Sequence, residues 1–347
     1  MIDSDAAASF TGLVDLASAS FGGRVLGCSD DYFAEAGNLI MPGRGVFIAD
    51  KFTERGKWMD GWESRRKREP GHDFCVLELG AAGQLIGFDI DTHHFNGNHP
   101  SFASVDGLHA PRGTPYGELL RAEWRELLSP APLAPTSQNL FAADESPSVT
   151  HLRLSIYPDG GVARFRAYGR VLPTWQPGEL DAETRAHVSP GAVDLAALSN
   201  GAVALACSDA RFSPMNNLIL PGRAVNMGGG WETRRSRGVD PQRHDWIILR
   251  LGARGVLHVL EVDTDHFKGN YPDRCAIQLI DAPGARITDL VVSQGWRPFL
   301  PEHKLAAHTR HFFSRELVGA GPATHLRLQI FPDGGVSRLR AWGKRDG

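Results

Sequence analysis

The feature that most constrains this chain is that it states the same pattern twice. Residues 150–169 read THLRLSIYPDGGVARFRAYG, and residues 324–343 read THLRLQIFPDGGVSRLRAWG. Upstream, FDIDTHHFNGNHP (88–100) returns as LEVDTDHFKGNYP (260–272), and GWESRRKR (61–68) returns as GWETRRSR (230–237). GCSDDYFAEAGNLIMPGRG (27–45) returns as ACSDARFSPMNNLILPGRA (206–224). Four blocks recurring in one order mean two copies of a single domain, each of ordinary domain size. The expected division is a first repeat over 1–172, a linker over 173–190 rich in proline, glycine and charge, and a second repeat over 191–347. The first copy carries about ten extra residues between Arg44 and Gly61, an insertion of the kind that surface loops accept.

Composition excludes several classes of function. A net charge of −3 gives no basic field for nucleic acid. No apolar run approaches the roughly 20 residues that span a bilayer, so no membrane partner is expected. The acidic start, MIDSDAAASF, lacks the charged and apolar regions of a secretory signal. Cys28, Cys75, Cys207 and Cys275 form no C-x-x-C pair, and only Cys28 and Cys207 are equivalent between copies. Reduced thiols in a cytoplasmic protein, without a cysteine-based zinc site, are the expectation.

Within each copy the pattern is mostly strand. HDFCVLELG and HDWIILRLG are short β-favouring runs ended by glycine, and QLIGFDIDT and VLHVLEVDT follow as further strands. HLRLSIY alternates, and the Pro-Asp-Gly-Gly after it predicts a β-hairpin into VARFRAYG. TPYGELLRAEWRELL (114–128) predicts a helix with Leu119, Leu120, Trp124, Leu127 and Leu128 on one side, with a weaker counterpart in the second copy. The fold class expected is all-β: two tandem jelly-roll β-sandwiches related by internal duplication.

Polar residues kept in both copies are the candidates for a site. Arg44 and Arg223 sit on equivalent Pro-Gly-Arg loops. Glu63, Arg65 and Arg66 match Glu232, Arg234 and Arg235, and guanidinium forks of this kind bind carboxylates through paired hydrogen bonds. Asp91, His94 and Asn98 match Asp263, His266 and Asn270 at the end of a predicted strand. Aspartate with histidine suits acid–base work or a divalent metal ion, although nothing in the sequence requires a metal. Asparagine suits an amide or ureido group. The competing structural account is a salt-bridged loop and an Asx-turn that only hold the sandwich end together. The pairs His72-Asp73 and His244-Asp245, at strand starts, fit a structural role.

On GWESRRKR and GWETRRSR, DTHHFNGNHP and DTDHFKGNYP, and the two THLRL…PDGG segments, the chain resembles the allantoicases over nearly its whole length. The resemblance implies jelly rolls of the galactose-binding-like type, assembly into homo-oligomers, and hydrolysis of allantoate to ureidoglycolate and urea. On that implication, arginines clamp the substrate carboxylate and Glu63 or Glu232 accepts ureido N–H groups. His94 or His266, paired with an aspartate, moves the proton. The copies depart from each other where His93 becomes Asp265 and where only the first carries the insertion, which would serve as a lid. The alternative class is a tandem jelly-roll module that binds carbohydrate or another small ligand without catalysis; the arginine-rich blocks favour an anionic ligand instead.

Overall fold

The computed structural model describes residues 10–143, 146–175, 180–236, 240, 242–319 and 321–346. Arg237, the last arginine of the second GWE block, lies outside the described residues. The chain divides into two compact units, Met1–Leu172 and Pro173–Gly347. Each contains an eight-stranded set with the same order of connections.

The two runs flanking each glycine-rich break form one strand, not two. Asp73–Asp91 is continuous over 19 residues, as is Asp245–Asp263. The first half of Asp73–Asp91 pairs with Arg24–Cys28 and Ser148–Tyr157, and its second half pairs with Gln138–Ala142 and Arg164–Val171. The strand therefore serves both sheets of the sandwich. It changes sheets at the glycines, where packing forbids a side chain: a Cβ on Gly83 would lie 2.3 Å from Leu16 Cδ1. The side chains of Leu77, Leu85, Phe88, Leu152, Leu154 and Phe165 are wholly buried between the sheets.

The predicted hairpin does not form. Ser148–Tyr157 and Arg164–Val171 both pair with the long strand, at its opposite halves, and not with each other. Between them Gly161–Val162 pairs with Trp62–Glu63. The Pro-Asp-Gly-Gly segment is thus a crossing from one sheet to the other, with Tyr157-Pro158 and Phe331-Pro332 both cis. Its second glycine is required by the close approach of Phe95, since a Cβ on Gly161 would meet that ring at 1.9 Å.

The helix expected over 114–128 is also corrected. Only Tyr116–Leu119 is helical, and Arg125–Pro132 is a strand paired with Phe102–Leu108. Apolar residues at helical spacing here serve a turn of helix and then a strand, with Leu119 and Leu127 both buried. The second copy has the longer helix, Ile287–Val292. Within the expected linker, Ala182–His187 is a helix capped by Asp181, whose carboxylate accepts from Thr184 N at 2.8 Å.

Candidate active site

Most of the repeated Asp-Thr-x-His-Phe block builds the loop that carries the polar tips. Thr92 Oγ1 donates to Ala134 O and Phe95 is wholly buried. Asn98 O receives Gly161 N–H at 2.7 Å. These ties force His94 into the left-handed region, at φ 72°, and its counterpart His266 to φ 69°. A non-glycine residue holds that conformation only where its surroundings over-determine it, and such residues concentrate at functional sites.

In the first repeat a polar cluster stands at this strand end. Arg44 Nη1 bridges Asp89 Oδ2 at 2.8 Å and Asp91 Oδ2 at 2.9 Å. Both carboxylates are shielded from solvent, while 46% of the Arg44 side chain is exposed. Partial burial opposes the charge on Arg44, but Asp89 and Asp91 outweigh it and raise its pKa. Gln138 Nε2 also donates to Asp89 Oδ2, and Asp89 Oδ1 is buried with no hydrogen-bond partner among the described residues. Asp91 Oδ1 accepts from both the backbone N–H and the ring Nδ1 of His93, at 2.8 and 2.7 Å. His94 turns elsewhere: its Nε2 meets Gly45 O at 3.1 Å and its ring stacks on Phe47 of the insertion. Behind the cluster, buried Arg164 binds Asp60, and Arg166 donates to Met41 O and Gly43 O.

The second repeat keeps the frame and changes the contacts. Arg223 Nη2 reaches Asp265 Oδ2 at 2.8 Å and Asp263 Oδ2 at 3.4 Å. Burial raises the Asp263 pKa against the pull of the Asp265 N–H and Arg223. His308 Nδ1 lies 2.6 Å from Asp265 Oδ1. Asp265, His266 and His308 offer ligand atoms within 4.8 Å of one another, the one grouping of that kind found among the described residues. At Gln138's place stands Arg310, bound by Glu261, Asp181 and Glu183. A cavity of about 140 Å³ lies here, lined by Arg223, Asp263, Arg310, Arg338 and Asp181 among others. That is below the roughly 300–1,000 Å³ usual for ligand pockets.

The GWE block is divided by the structure. Glu63 accepts from Asn98 Nδ2 at 2.7 Å and Glu232 from Asn270 Nδ2 at 2.6 Å, so these predicted residues do meet. Burial raises the Glu63 pKa, opposed by the Asn98 bond. Arg65 instead pairs with Asp30 at 2.6 Å, under Tyr32. Arg66, Arg234 and Arg235 are exposed and donate no side-chain hydrogen bond to another described residue. Asp73 and Asp245 accept from Ser29 and Ser208 and serve as strand-start anchors.

Asp60, Asp89, Gln138, Arg164 and Arg166 were not legible as site residues. Arg164 and Arg166 do recur as Arg338 and Arg340 in VARFRAYG and VSRLRAWG, and that repetition was the available signal. Read as a hairpin strand, they pass for an exposed face. No local pattern marks Asp89, whose counterpart is Glu261, or Gln138, whose counterpart is Arg310.

Residues 14–172 and 193–346 each match the allantoicase repeat family. The chain belongs to the allantoicase family. A probable allantoicase of Pseudomonas paraeruginosa is 47% identical, covering 97% of both chains. An allantoicase of Dictyostelium discoideum is 43% identical over 98% of this chain and 89% of its own. The crystal structure of allantoicase from Saccharomyces cerevisiae aligns with a TM-score of 0.79 at 34% identity, covering 99% of each chain. The duplicated jelly-roll architecture is thus the family's, and the repeated blocks fall inside both matched segments.

Proposed function

We propose that the chain hydrolyses allantoate to ureidoglycolate and urea, at the strand-end clusters that carry Arg44 and Arg223. The observation that carries this reading is the half-exposed guanidinium held over buried carboxylates in both repeats of an allantoicase-family chain. Arg44 and Arg223 present free N–H groups to a substrate carboxylate. The Glu63–Asn98 and Glu232–Asn270 pairs offer donors and acceptors to ureido arms. Arg66, Arg234 and Arg235 add positive charge outside that frame and steer an anion toward it, whereas the charge of Arg65 is met by Asp30. The loops that follow Asp91 and Asp263 carry the imidazoles for proton transfer. Among the described residues no helix is long and apolar enough to cross a membrane. A cytoplasmic homo-oligomer completes the reading, checked by fractionation and by light scattering after gel filtration.

Urea release from allantoate, with allantoin and ureidoglycolate in parallel, is the test. Urea from allantoate alone supports the reading, and none from any of them would overturn it. A second reading adds a divalent cation at Asp265, His266 and His308, favoured by their common reach and by donors that suit transition metals. There, Zn²⁺ or Mn²⁺ would raise the melting temperature, and His308→Ala would abolish the rise.

A further inference from the structure

We propose that the proton-transfer group of the first repeat is His93, oriented by Asp91, and that this repeat is therefore the one that turns over. The proposal rests on the reading of allantoate hydrolysis above and deepens it.

The two adjacent histidines differ in what they can do. Asp91 is fully shielded, and its Oδ2 receives Arg44 at 2.9 Å. An arginine-paired carboxylate is an acceptor, so the His93 nitrogen 2.7 Å from its Oδ1 must be Nδ1–H. That fixes the tautomer and leaves the Nε2 lone pair without a hydrogen-bond partner among the described residues, on a side chain 39% exposed. The His93 backbone N–H binds the same oxygen, so ring and main chain are locked together. His94 has the opposite arrangement. Its Nε2 faces the Gly45 carbonyl, which can only accept, so that nitrogen carries the hydrogen, and one face of its exposed ring stacks on Phe47. The second repeat lacks this device at the same place, because position 265 is aspartate.

An aspartate behind an imidazole holds the ring and stabilises the imidazolium that forms when it takes a proton. His93 Nε2 accepts a proton from water as the water oxygen bonds to the carbon bearing the ureido arms. The bond from that carbon to one ureido nitrogen breaks, and its electron pair stays on the departing nitrogen. The same Nε2–H returns its proton to that nitrogen, giving neutral urea and the starting imidazole. No oxidant, reductant or further reactant is needed. The charged or titratable groups around His93 are Asp89 and Asp91 on its strand, Arg44 on the facing loop and His94 beside it. On the paired strand Arg164 stands opposite Asp91 and Arg166 opposite Asp89, and Arg164 binds Asp60 of the insertion.

The test combines kinetics with chemical labelling. His93→Gln should lower kcat by about 100- to 1,000-fold with KM changed only a few-fold, and should remove one ionisation from the pH–rate profile. Free imidazole should restore part of the turnover of His93→Ala. Asp91→Asn, which favours the wrong tautomer, should lose turnover without rescue. His109→Gln, an exposed histidine outside the cluster, should match the parent in every assay. Melting curves confirm that each variant folds. Acylation by diethylpyrocarbonate, mapped by peptide mass, should modify His93 more slowly in Asp91→Asn than in the parent. Turnover of His93→Gln within threefold of the parent with an unchanged pH profile would overturn the proposal. So would acylation of His93 at the same rate in the parent and in Asp91→Asn, whether or not the parent acts on allantoate. Absence of urea from the parent alone would instead remove the allantoate reading.

Discussion

The two strand-end clusters share a scaffold and differ in what fills it. In both repeats an arginine on a Pro-Gly-Arg loop lies over a buried aspartate, followed by a histidine in the left-handed region. In the first, neutral Gln138 touches Asp89, and His93 hangs on Asp91 with its far nitrogen unpaired among the described residues. In the second, Arg310 draws Glu261, Asp181 and Glu183 together, and an aspartate replaces that histidine. Duplication preserves what the loop needs in order to fold. It releases the polar tips to diverge, because one turn of a loop can be rebuilt around a new ion pair without disturbing the sheets.

The largest effect that would break this comparison is one of stability. Arg310→Ala strands the carboxylate of Glu261, only 4% of whose side chain is exposed, and should cost about 3–5 kcal/mol in denaturant melts of the second repeat. Gln138→Ala removes one hydrogen bond to a charged group and should cost about 1.5–3 kcal/mol. Equal losses would mean that the two clusters are energetically alike.

Activity sharpens it next. Arg44→Ala should lower kcat/KM for allantoate by about 100-fold, or about 2.7 kcal/mol, and Arg223→Ala by about tenfold or less. Matching losses in steady-state assays would show that both repeats contribute equally.

Acid titration tests the frame that the repeats have in common. Burial raises the Asp15 carboxyl to about 6 despite Arg166, and raises its counterpart Asp194 despite Arg340. A raised folded-state pKa means stability that is present below the ordinary value of 3.8 and lost as pH rises through about 6. Between pH 4 and pH 7 the parent should therefore lose about 1–3 kcal/mol relative to Asp15→Asn, measured by chemical denaturation at each pH.

The smallest effect concerns the insertion. Phe47 stacks on His94 with ring centroids 5.7 Å apart, and Phe47→Ala should cost about 0.5–1.5 kcal/mol of stability, read in denaturant melts. Asn226→Ala, at the equivalent place in the second repeat, should change little.

The duplication, the all-β class and the placement of Asp91, Glu63 and Asn98 were open to reading because each depends on local pattern. Alternation, turn residues and repeated blocks all survive in one dimension. The pairing of Glu63 with Asn98, 35 positions apart, was legible only as joint recurrence. The hairpin failed because alternation shows which face of a strand is buried and not which strand lies beside it. The 114–128 helix failed because its apolar spacing also fits a short helical turn followed by a strand edge.

The sequence by itself determined that two like domains exist, that they are built of strands, and which side chains both copies retain. Only the tertiary structure decided that Asp73–Asp91 joins two sheets, that Arg65 spends its charge on Asp30, and that His93 and His94 face different partners. Repetition and periodicity follow from the chain's own order, whereas the partner of a charged tip depends on which distant strands and loops the closed sandwich brings within hydrogen-bonding reach.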